Sequence, residues 1–308
     1  MTANHASSTY NDRAYRDESD YALLRQLLVR LFADGGFPVQ CTIGDLDWWR
    51  CQSDDPVQEI ATAHLWFTPE GELAGFAWPI DDEVDIFAHP THKALEDIMI
   101  GWAEDRRLRQ QRDGAPVTFQ VQTFDSDTTR QAILRQRGYA YERPLIVYRQ
   151  RLIDAAPRPA PLPDGYAIRL LDAERDVAQR VNAHRDAFAP SEMTEARYRY
   201  AMSSPTYRPD LDLVVADGND DVAAFTTIWL DADNRLGVFE PVGCHAAHRR
   251  RGLARAVITE GLRRLHGLGA RRAIIGSYLD NDASNQLYES LGFGDAEPTS
   301  CWSRPLPA

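Results

Sequence analysis

The sequence predicts an α/β protein built from two similar halves. Apolar stretches of strand length alternate with stretches whose apolar residues recur every three to four positions, as in amphipathic helices. The order of these parts in the second half returns about 155 residues earlier in the first half, which indicates a tandem repeat. A proline-rich stretch lies between the halves, where it can join neither a helix interior nor a sheet ladder. We therefore expect a first domain over 1–154, a linker over 155–165 and a second domain over 166–308.

The first half begins with a lead strand or turn and a leucine-rich helix over residues 10–33, which the sequence GGFP ends. Residues 61–67 and 73–78, separated by PEGE, predict a hairpin. Trp48 and Trp49 fit core or cleft-wall positions, the usual environment of tryptophan.

The second half predicts strands and helices in alternation. A strand follows Tyr166, and a helix and a short helix with a loop come next. In order, the expected elements are a helix over 173–188, a hairpin over 211–216 and 222–230, a strand over 235–244, a helix over 254–265, a strand over 273–279, and a helix that Asp280 or Asn281 caps and that stops near Gly292.

The turn HAAHRRRGLA, which opens the helix after Cys244, predicts a pyrophosphate site. The first amides of a helix have no internal partner and carry partial positive charge, so they attract anions. Gly252 and Ala254 add no bulk there, and the triplet that ends at Arg251 adds positive charge. The alternative is that the triplet is a solvated basic turn.

Two motifs in order resemble those of the GNAT superfamily of acyl-CoA-dependent N-acyltransferases. Arg249-x-x-Gly252-x-Ala254 matches the family's Q/R-x-x-G-x-G/A loop. NDASNQLYESLGF, residues 281–293, approximates N-x-x-A-x-x-L-Y-x-x-x-G-F, with Ser284 in place of the small alanine. The resemblance implies two tandem GNAT-like domains, each a mixed, mostly antiparallel sheet with helices on both faces.

The resemblance also implies how the chain binds acetyl-CoA, with no metal. The loop residues would hold the pyrophosphate, the strand end before the loop would hold pantetheine and the thioester carbonyl through its backbone, and Asn281 would meet the pantetheine or adenine side. The implied residues are Arg249, Arg250, Arg251, Gly252, Leu253 and Ala254 for the loop, and Val242, Gly243 and Cys244 for the strand. For Asn281, a plain helix cap is a compatible alternative.

Two side chains are candidates for catalysis. Tyr288 matches the tyrosine that the family commonly uses as a general acid near the sulfur, and a core aromatic is its alternative. Glu240 precedes Pro241 near the strand end, where a partly buried carboxyl could act as the base. Its alternative is a surface carboxylate beside a bulge. A Cys244 nucleophile is disfavoured, because no basic partner is evident.

The first half resembles a GNAT domain without the cofactor loop. Its His89 aligns with His245, but Glu96 then falls where Gly252 sits. A carboxylate at the start of the helix would repel a pyrophosphate. Further on, Asp127 stands at the position of Asn281 and Leu134 at that of Tyr288.

The composition of the chain argues against some classes of binding partner. The 308 residues carry a net charge of -12, which argues against nucleic acid and anionic membrane. The four cysteines form no C-x-x-C pair, the N-terminus lacks the apolar core of a secretion signal, and no apolar run approaches ~18 residues. We therefore expect a cytoplasmic protein.

The function that these residues predict is transfer of an acetyl group from acetyl-CoA to the primary amine of a small molecule, by direct attack in a ternary complex. A non-catalytic acyl-CoA-binding or assembly module, or a transferase with another acyl donor, is the alternative. We expect a monomer with a pseudo-dimeric domain arrangement. The acceptor is not specified by the sequence.

Overall fold

The computed structural model describes residues 10–111 and 117–306, which fold into two compact α/β units. The first unit contains Met1–Gln40, Val57–Ile146 and Glu297–Ala308, and the second contains Cys41–Pro56 and Val147–Ala296. The α/β fold class is thus confirmed. Domain boundaries at 154 and 166 stay a prediction, and the segments that make up each unit are not consecutive in the sequence.

Strands and helices alternate along the chain as the periodicity predicts. The strands are β1 (Asn11–Ala14), β2 (His64–Phe67), β3 (Leu73–Ile80), β4 (Glu83–Ala88), β5 (Val117–Phe124), β6 (Ala140–Leu152), β7 (Ala167–Leu170), β8 (Asp212–Ala216), β9 (Val222–Asp231), β10 (Leu236–Cys244), β11 (Arg272–Tyr278) and β12 (Asp295–Leu306). The helices are α1 (Glu18–Gly35), α2 (Ile43–Arg50), α3 (Pro56–Ile60), α4 (Leu95–Gln110), α5 (Thr128–Gln136), α6 (Val177–Ala187), α7 (Glu195–Met202), α8 (Leu253–Gly267) and α9 (Asp282–Ser290).

The first unit is a mixed sheet in the strand order β1-β2-β3-β4-β5-β12. Pairing is antiparallel between β1 and β2, β2 and β3, β3 and β4, and β5 and β12. By contrast, β4 and β5 run parallel, with the pairs Glu83–Gln120 and Val84–Val121. The core of this unit includes Met99 and Ile100 of α4 and Phe119 and Val121 of β5.

The second unit repeats this plan in the strand order β11-β10-β9-β8-β7. Antiparallel pairs join β7 to β8, β8 to β9 and β9 to β10, whereas β10 and β11 are parallel. A parallel pair requires a crossover connection, and α8 supplies it. The fold therefore brings the end of β10 directly to the start of α8.

Helix α8 packs one apolar face against the sheet. Val257, Leu262 and Leu265 are fully buried in the core of the unit. Burying a side chain of this size stabilises a fold by about 1.5–3 kcal/mol. Gly261 allows the close approach, because a Cβ there would lie 2.4 Å from Ile228 and 2.6 Å from Phe239.

The internal repeat is visible in matched hydrogen bonds. Tyr10 Oη contacts His92 Nδ1 at 2.9 Å in the first unit, and Tyr166 Oη contacts His248 Nδ1 at 2.9 Å in the second. The two residues of each pair are 82 positions apart, so the hydrogen bond joins corresponding positions in the two units. The two units therefore share one chain path up to the loop before the long helix.

The loop itself differs in length. A 3-10 turn ends at His92 in the first unit and at His248 in the second, and the helices then start at Leu95 and Leu253. Two residues lie between turn and helix in the first unit and four in the second. Counted from the helix start, Glu96 therefore matches Ala254, so its alignment with Gly252 is wrong.

Candidate active site

A gap opens between β10 and β11. Their recorded parallel pairs run from Leu236–Arg272 to Phe239–Ile275 and end there within the described chain. On the other edge, the register of β10 against β9 shifts between Phe239 and Val242. Pro241 lies at this irregularity and has no amide to donate. The last residues of β10 thus diverge from β11 while they remain paired to β9.

The backbone of β10 presents amides to this gap. His245 N donates to Ala223 O at 2.9 Å, which fixes the side toward which that amide points. Successive amides of a strand alternate in direction, so the N–H groups of Val242 and Cys244 point away from β9. Gly243 lies between them, and a Cβ there would meet the Phe225 ring at 2.1 Å. Two donors therefore face the side on which β11 has diverged.

The loop before α8 has the conformation that its glycine permits. Gly252 is the N-cap residue of α8, with φ 80° and ψ 7° in the left-handed region. A Cβ at Gly252 would have no heavy atom of the described chain, other than its neighbours, within 4 Å. The first recorded helical bond is Ala256 N to Gly252 O, so the amides of Leu253 and Ala254 precede the helical ladder. The geometry suits an anion at the helix start.

The arginine triplet divides into two kinds of side chain. Arg249 donates to Cys244 O and Asp186 O, both at 3.3 Å, and Arg251 donates to Tyr166 Oη at 2.9 Å. These two residues hold the loop in shape. Arg250 is exposed, has φ 63°, and makes no hydrogen bond or ion pair within 10–111 and 117–306. Its charge is the one most available to a ligand.

Asn281 is the N-cap of α9, as the capping interpretation predicts. Its side chain accepts a hydrogen bond from Ser284 N at 3.2 Å, and the residue is exposed. A cofactor contact by Asn281 stays a prediction.

Asn285, one turn later, was not predicted and is buried. Its Oδ1 accepts from Arg149 and Ser277, and its Nδ2 donates to Tyr278 O and Leu279 O. Asn285 thereby fixes the end of β11 to α9. The only sequence signal was a second asparagine four residues after the first.

Tyr288 is buried on α9, with 5% of its surface exposed. It belongs to the core of the unit, and its ring centroid lies 6.3 Å from that of Phe293. Burial, and then the negative charge of Glu240, raise the pKa of Tyr288 above its usual 10. The phenol is therefore a neutral proton carrier close enough to Glu240 to respond to its charge.

Glu240 is a partly buried carboxyl at the β10 irregularity. Its backbone oxygen accepts a hydrogen bond from Trp229 Nε1 at 2.6 Å. Burial, followed by the charge of Asp45, raises the pKa of Glu240 to about 8, against a smaller opposing effect of a hydrogen bond from Trp48. The surface-carboxylate alternative therefore does not describe this residue.

Cys244 packs its side chain against the core that α8 covers. Burial raises the pKa of this thiol, and Sγ contacts His245 O at 3.7 Å. A thiolate is correspondingly disfavoured.

Residues 10–111 and 117–306 contain neither a candidate metal site nor a membrane-spanning helix. No cluster there has three or more histidine, cysteine, aspartate or glutamate side chains placed to bind a metal ion. No helix of the described chain has the length and apolar character that a membrane span needs.

The sequence model of the Acetyltransferase (GNAT) family matches residues 178–293, the stretch that contains this gap, loop and helix pair. This part of the chain belongs to the GNAT family. The matched residues all lie in the second unit.

Relatives extend the GNAT likeness over most of the chain. A mycothiol acetyltransferase of Streptomyces coelicolor is 26% identical over 262 residues, which cover 79% of this chain and 80% of the relative. The fold is similar to that of a GCN5-related N-acetyltransferase from Sphaerobacter thermophilus, with a TM-score of 0.68, 20% identity and coverage of 98% and 97%. It is also similar to a tandem GNAT protein from the clavulanic acid biosynthesis pathway, with a TM-score of 0.68, 12% identity and coverage of 97% and 99%. The chain is thus an acetyltransferase with the fold of a tandem GNAT protein, and the GNAT family implies acetyl-CoA as its co-substrate.

Proposed function

We propose that this protein is an N-acetyltransferase that acetylates the primary amine of a small molecule by direct attack in a ternary complex. The observation that carries the proposal is the placement of Glu240 and Tyr288. A proton acceptor and a proton donor lie near the β10–β11 gap and are electrostatically coupled. Amine acetylation requires one group of each kind.

The donor site fits the chemistry of acetyl-CoA. The pyrophosphate would lie against the amides after Gly252, beside the exposed Arg250, while Arg249 and Arg251 support the loop. The backbone of Val242 and Cys244 would hold the pantetheine arm and the thioester carbonyl. When bound, acetyl-CoA supplies the acetyl group as a thioester.

Glu240 would act as the general base. An amine attacks only when it is neutral, so a proton must leave the ammonium for the carboxylate, directly or through water. A carboxyl whose pKa is near 8 is a far better proton acceptor than an ordinary glutamate. The new bond forms between the amine nitrogen and the carbonyl carbon.

Tyr288 would act as the general acid. The bond that breaks joins the carbonyl carbon to sulfur, and the departing thiolate needs a proton. Because burial keeps the pKa of Tyr288 high, the phenol retains its proton until a strong base forms next to it. The amides of Val242 and Cys244 would stabilise the carbonyl oxygen as negative charge develops there.

Relatives named mycothiol acetyltransferase support a small-molecule acceptor. We further propose that the chain acts as a monomer, with domain boundaries at 154 and 166.

The deciding experiment measures thiol release from acetyl-CoA with a panel of primary amines, for wild type, Glu240→Gln and Tyr288→Phe. Amine-dependent release that both variants reduce supports the proposal. Acetyl-CoA binding without release for every amine would favour a non-catalytic binding module. Release only with longer acyl-CoA donors would show that the donor is misassigned.

A further inference from the structure

The short helix α2 lies against the candidate active site of the second unit, although it comes from the first half of the sequence. Gly44 of α2 packs so closely on Trp229 that a Cβ there would lie 2.2 Å from Trp229 Cβ. Asp47 accepts a hydrogen bond from Thr206 N at 3.0 Å, and Asp54 pairs with Arg197 at 2.9 Å. These contacts fix α2 and the residues after it against β9, α7 and the segment that follows α7.

Trp48 connects α2 to the candidate base. Helix α2 packs against β10, and Trp229, the ring neighbour of Trp48, donates Nε1 to Glu240 O at 2.6 Å. Hydrogen bonding from Trp48 lowers the pKa of the Glu240 carboxyl, against the larger effect of burial. Only 3% of Trp48 is exposed, and its ring lies 6.3 Å from that of Trp229 and 5.9 Å from that of His184, measured between centroids. Packing on two sides restricts the orientation of the indole and therefore the direction of its N–H group.

Asp45 brings a second carboxyl close to Glu240. It lies one turn before Trp48 on α2, is buried, and accepts hydrogen bonds from Thr42 N at 2.7 Å and Thr42 Oγ1 at 2.8 Å. Both bonds go to the same oxygen, Oδ2, as part of a capping box that starts the helix. Burial raises the pKa of Asp45 to about 6.

We infer that α2 completes the acceptor side of this active site, where Trp48 positions the Glu240 carboxyl and Asp45 adds the second negative charge that selects a cationic amine. This inference rests on the proposed function, in which Glu240 is the base. Two nearby carboxyls resist simultaneous ionisation in a buried place. An acceptor that arrives as an ammonium ion relieves the repulsion, and neutral hydroxyl acceptors would not.

The proton balance follows from this pair. The ammonium gives one proton to the Glu240 carboxylate, which leaves a neutral amine and a neutral carboxylic acid. The second proton that the nitrogen loses as the amide forms balances the proton that Tyr288 gives to the departing thiolate. Asp45 makes Glu240 a stronger base, because its charge opposes ionisation of its neighbour. Trp48 opposes this effect, because its N–H stabilises the ionised carboxyl.

Other titratable groups surround Glu240 from the elements packed against it. Tyr288 faces it from α9, His184 of α6 contacts Trp48, Tyr207 contacts Trp229, and Asp47 lies on α2. Burial, followed by the charge of Arg180, lowers the pKa of His184 to about 3, and burial raises that of Tyr207. Neither group changes charge between pH 5 and 9, so both leave the profile of Glu240 undisturbed.

The test compares Asp45→Asn and Trp48→Phe in pH profiles of kcat/KM, with acetyl-CoA and the best primary amine of the panel. The limb that rises with pH as Glu240 ionises should move down by about one pH unit in Asp45→Asn, because a negative charge is removed. It should move up in Trp48→Phe, because a donor to the ionised carboxyl is lost. A general folding defect does not shift two variants of one helix in opposite directions.

Asparagine at position 45 keeps an oxygen that can accept from Thr42 N. The matched control is Trp49→Phe on the same helix, and the pH profile of kcat/KM of this variant should not shift. The acetyl-CoA Kd should stay within about twofold in all three variants. Carboxyl ¹³C NMR titration of Glu240 in the ligand-free protein should show the same opposite shifts.

The outcomes separate the two hypotheses. Wild-type protein without amine-dependent thiol release would defeat the proposed function itself. An active wild type with a Glu240-dependent limb that neither Asp45→Asn nor Trp48→Phe moves, or that both move the same way, would overturn this inference alone.

Discussion

The Arg130 guanidinium and the Glu96 carboxylate form a two-point ion pair inside the first unit, with distances of 2.6 Å and 3.0 Å. Arg130 also donates to Ile86 O at 3.0 Å and Gln122 O at 3.2 Å. The guanidinium thus bridges β4 and β5, the parallel pair that corresponds to β10 and β11. In the first unit, side chains thus fill the position that corresponds to the β10–β11 gap of the second unit.

Removal of Arg130 should therefore destabilise the first unit strongly. Arg130→Met leaves Glu96 buried, with Lys93 at 2.8 Å as its one remaining charged partner among the described residues. Breaking one side of a buried pair costs about 3–5 kcal/mol, which urea unfolding can measure. The double variant Glu96→Gln with Arg130→Met should recover much of the loss. A double variant as unstable as the sum of the two single variants would contradict this account.

Gly252→Ala should weaken acetyl-CoA binding by at least about tenfold, measured by calorimetry. The left-handed conformation costs a non-glycine residue roughly 1–2 kcal/mol, so the loop should relax away from the geometry that presents its amides. Gly269→Ala is the matched control, because Gly269 has φ 82° and equally open surroundings. It should lose similar stability and keep its acetyl-CoA affinity. Equal Kd values for wild type and Gly252→Ala would mean that the loop does not bind the pyrophosphate.

Tyr288→Phe should lower kcat by about 10²-fold or more and leave the acetyl-CoA Kd nearly unchanged, because only the acidic hydroxyl is lost. Steady-state kinetics and a binding titration check the two parts separately. Tyr278→Phe, at an exposed position of the same unit, serves as the control. Unchanged turnover in Tyr288→Phe would remove Tyr288 from the mechanism.

The kcat/KM of the wild type should rise with pH through an apparent pKa near 8, because Glu240 must be ionised to accept a proton. Glu240→Gln should lose this limb together with about 10²–10⁴-fold of activity. A wild-type profile that is flat from pH 6 to 9 would exclude Glu240 as the base.

Stability should show the opposite dependence on pH. The folded-state pKa of Glu240 lies above its ordinary value of 4.5, so the folded protein holds this proton more tightly than the unfolded chain does. The stabilising contribution is complete below about pH 4.5 and is lost as pH rises through 8. The Tm of Glu240→Gln relative to wild type should therefore increase between pH 5 and pH 8. A constant Tm difference would show that the carboxyl is not held protonated.

Local motifs made the second unit predictable. The left-handed Gly252 at the start of α8, the cap at Asn281 and the buried Tyr288 all follow from short-range patterns of residue type and spacing. Glu240 was identified by its neighbour Pro241, and its environment became clear only in three dimensions.

Long-range packing explains what the sequence did not predict. Nothing in the local sequence of residues 41–56 indicates that they pack with residues 147–296. Trp48 was therefore predicted only as a core or cleft-wall residue. The alignment of Glu96 with Gly252 was wrong for a different reason. The loop before the long helix is two residues shorter in the first unit, and the well-aligned histidines before the loop conceal this difference in the sequence.

The second unit is built from two separate segments of the sequence, which limits where the chain can be truncated. A fragment cut at the proline-rich linker would keep Gly252, Glu240 and Tyr288 but forfeit Trp48 and Asp45. Under the proposed mechanism, such a fragment would still bind acetyl-CoA, but its Glu240 would lack the Trp48 indole and the Asp45 carboxyl that shift its pKa. A chimaera with a related acetyltransferase would need to contain residues 41–56 together with residues 147–296 of this chain.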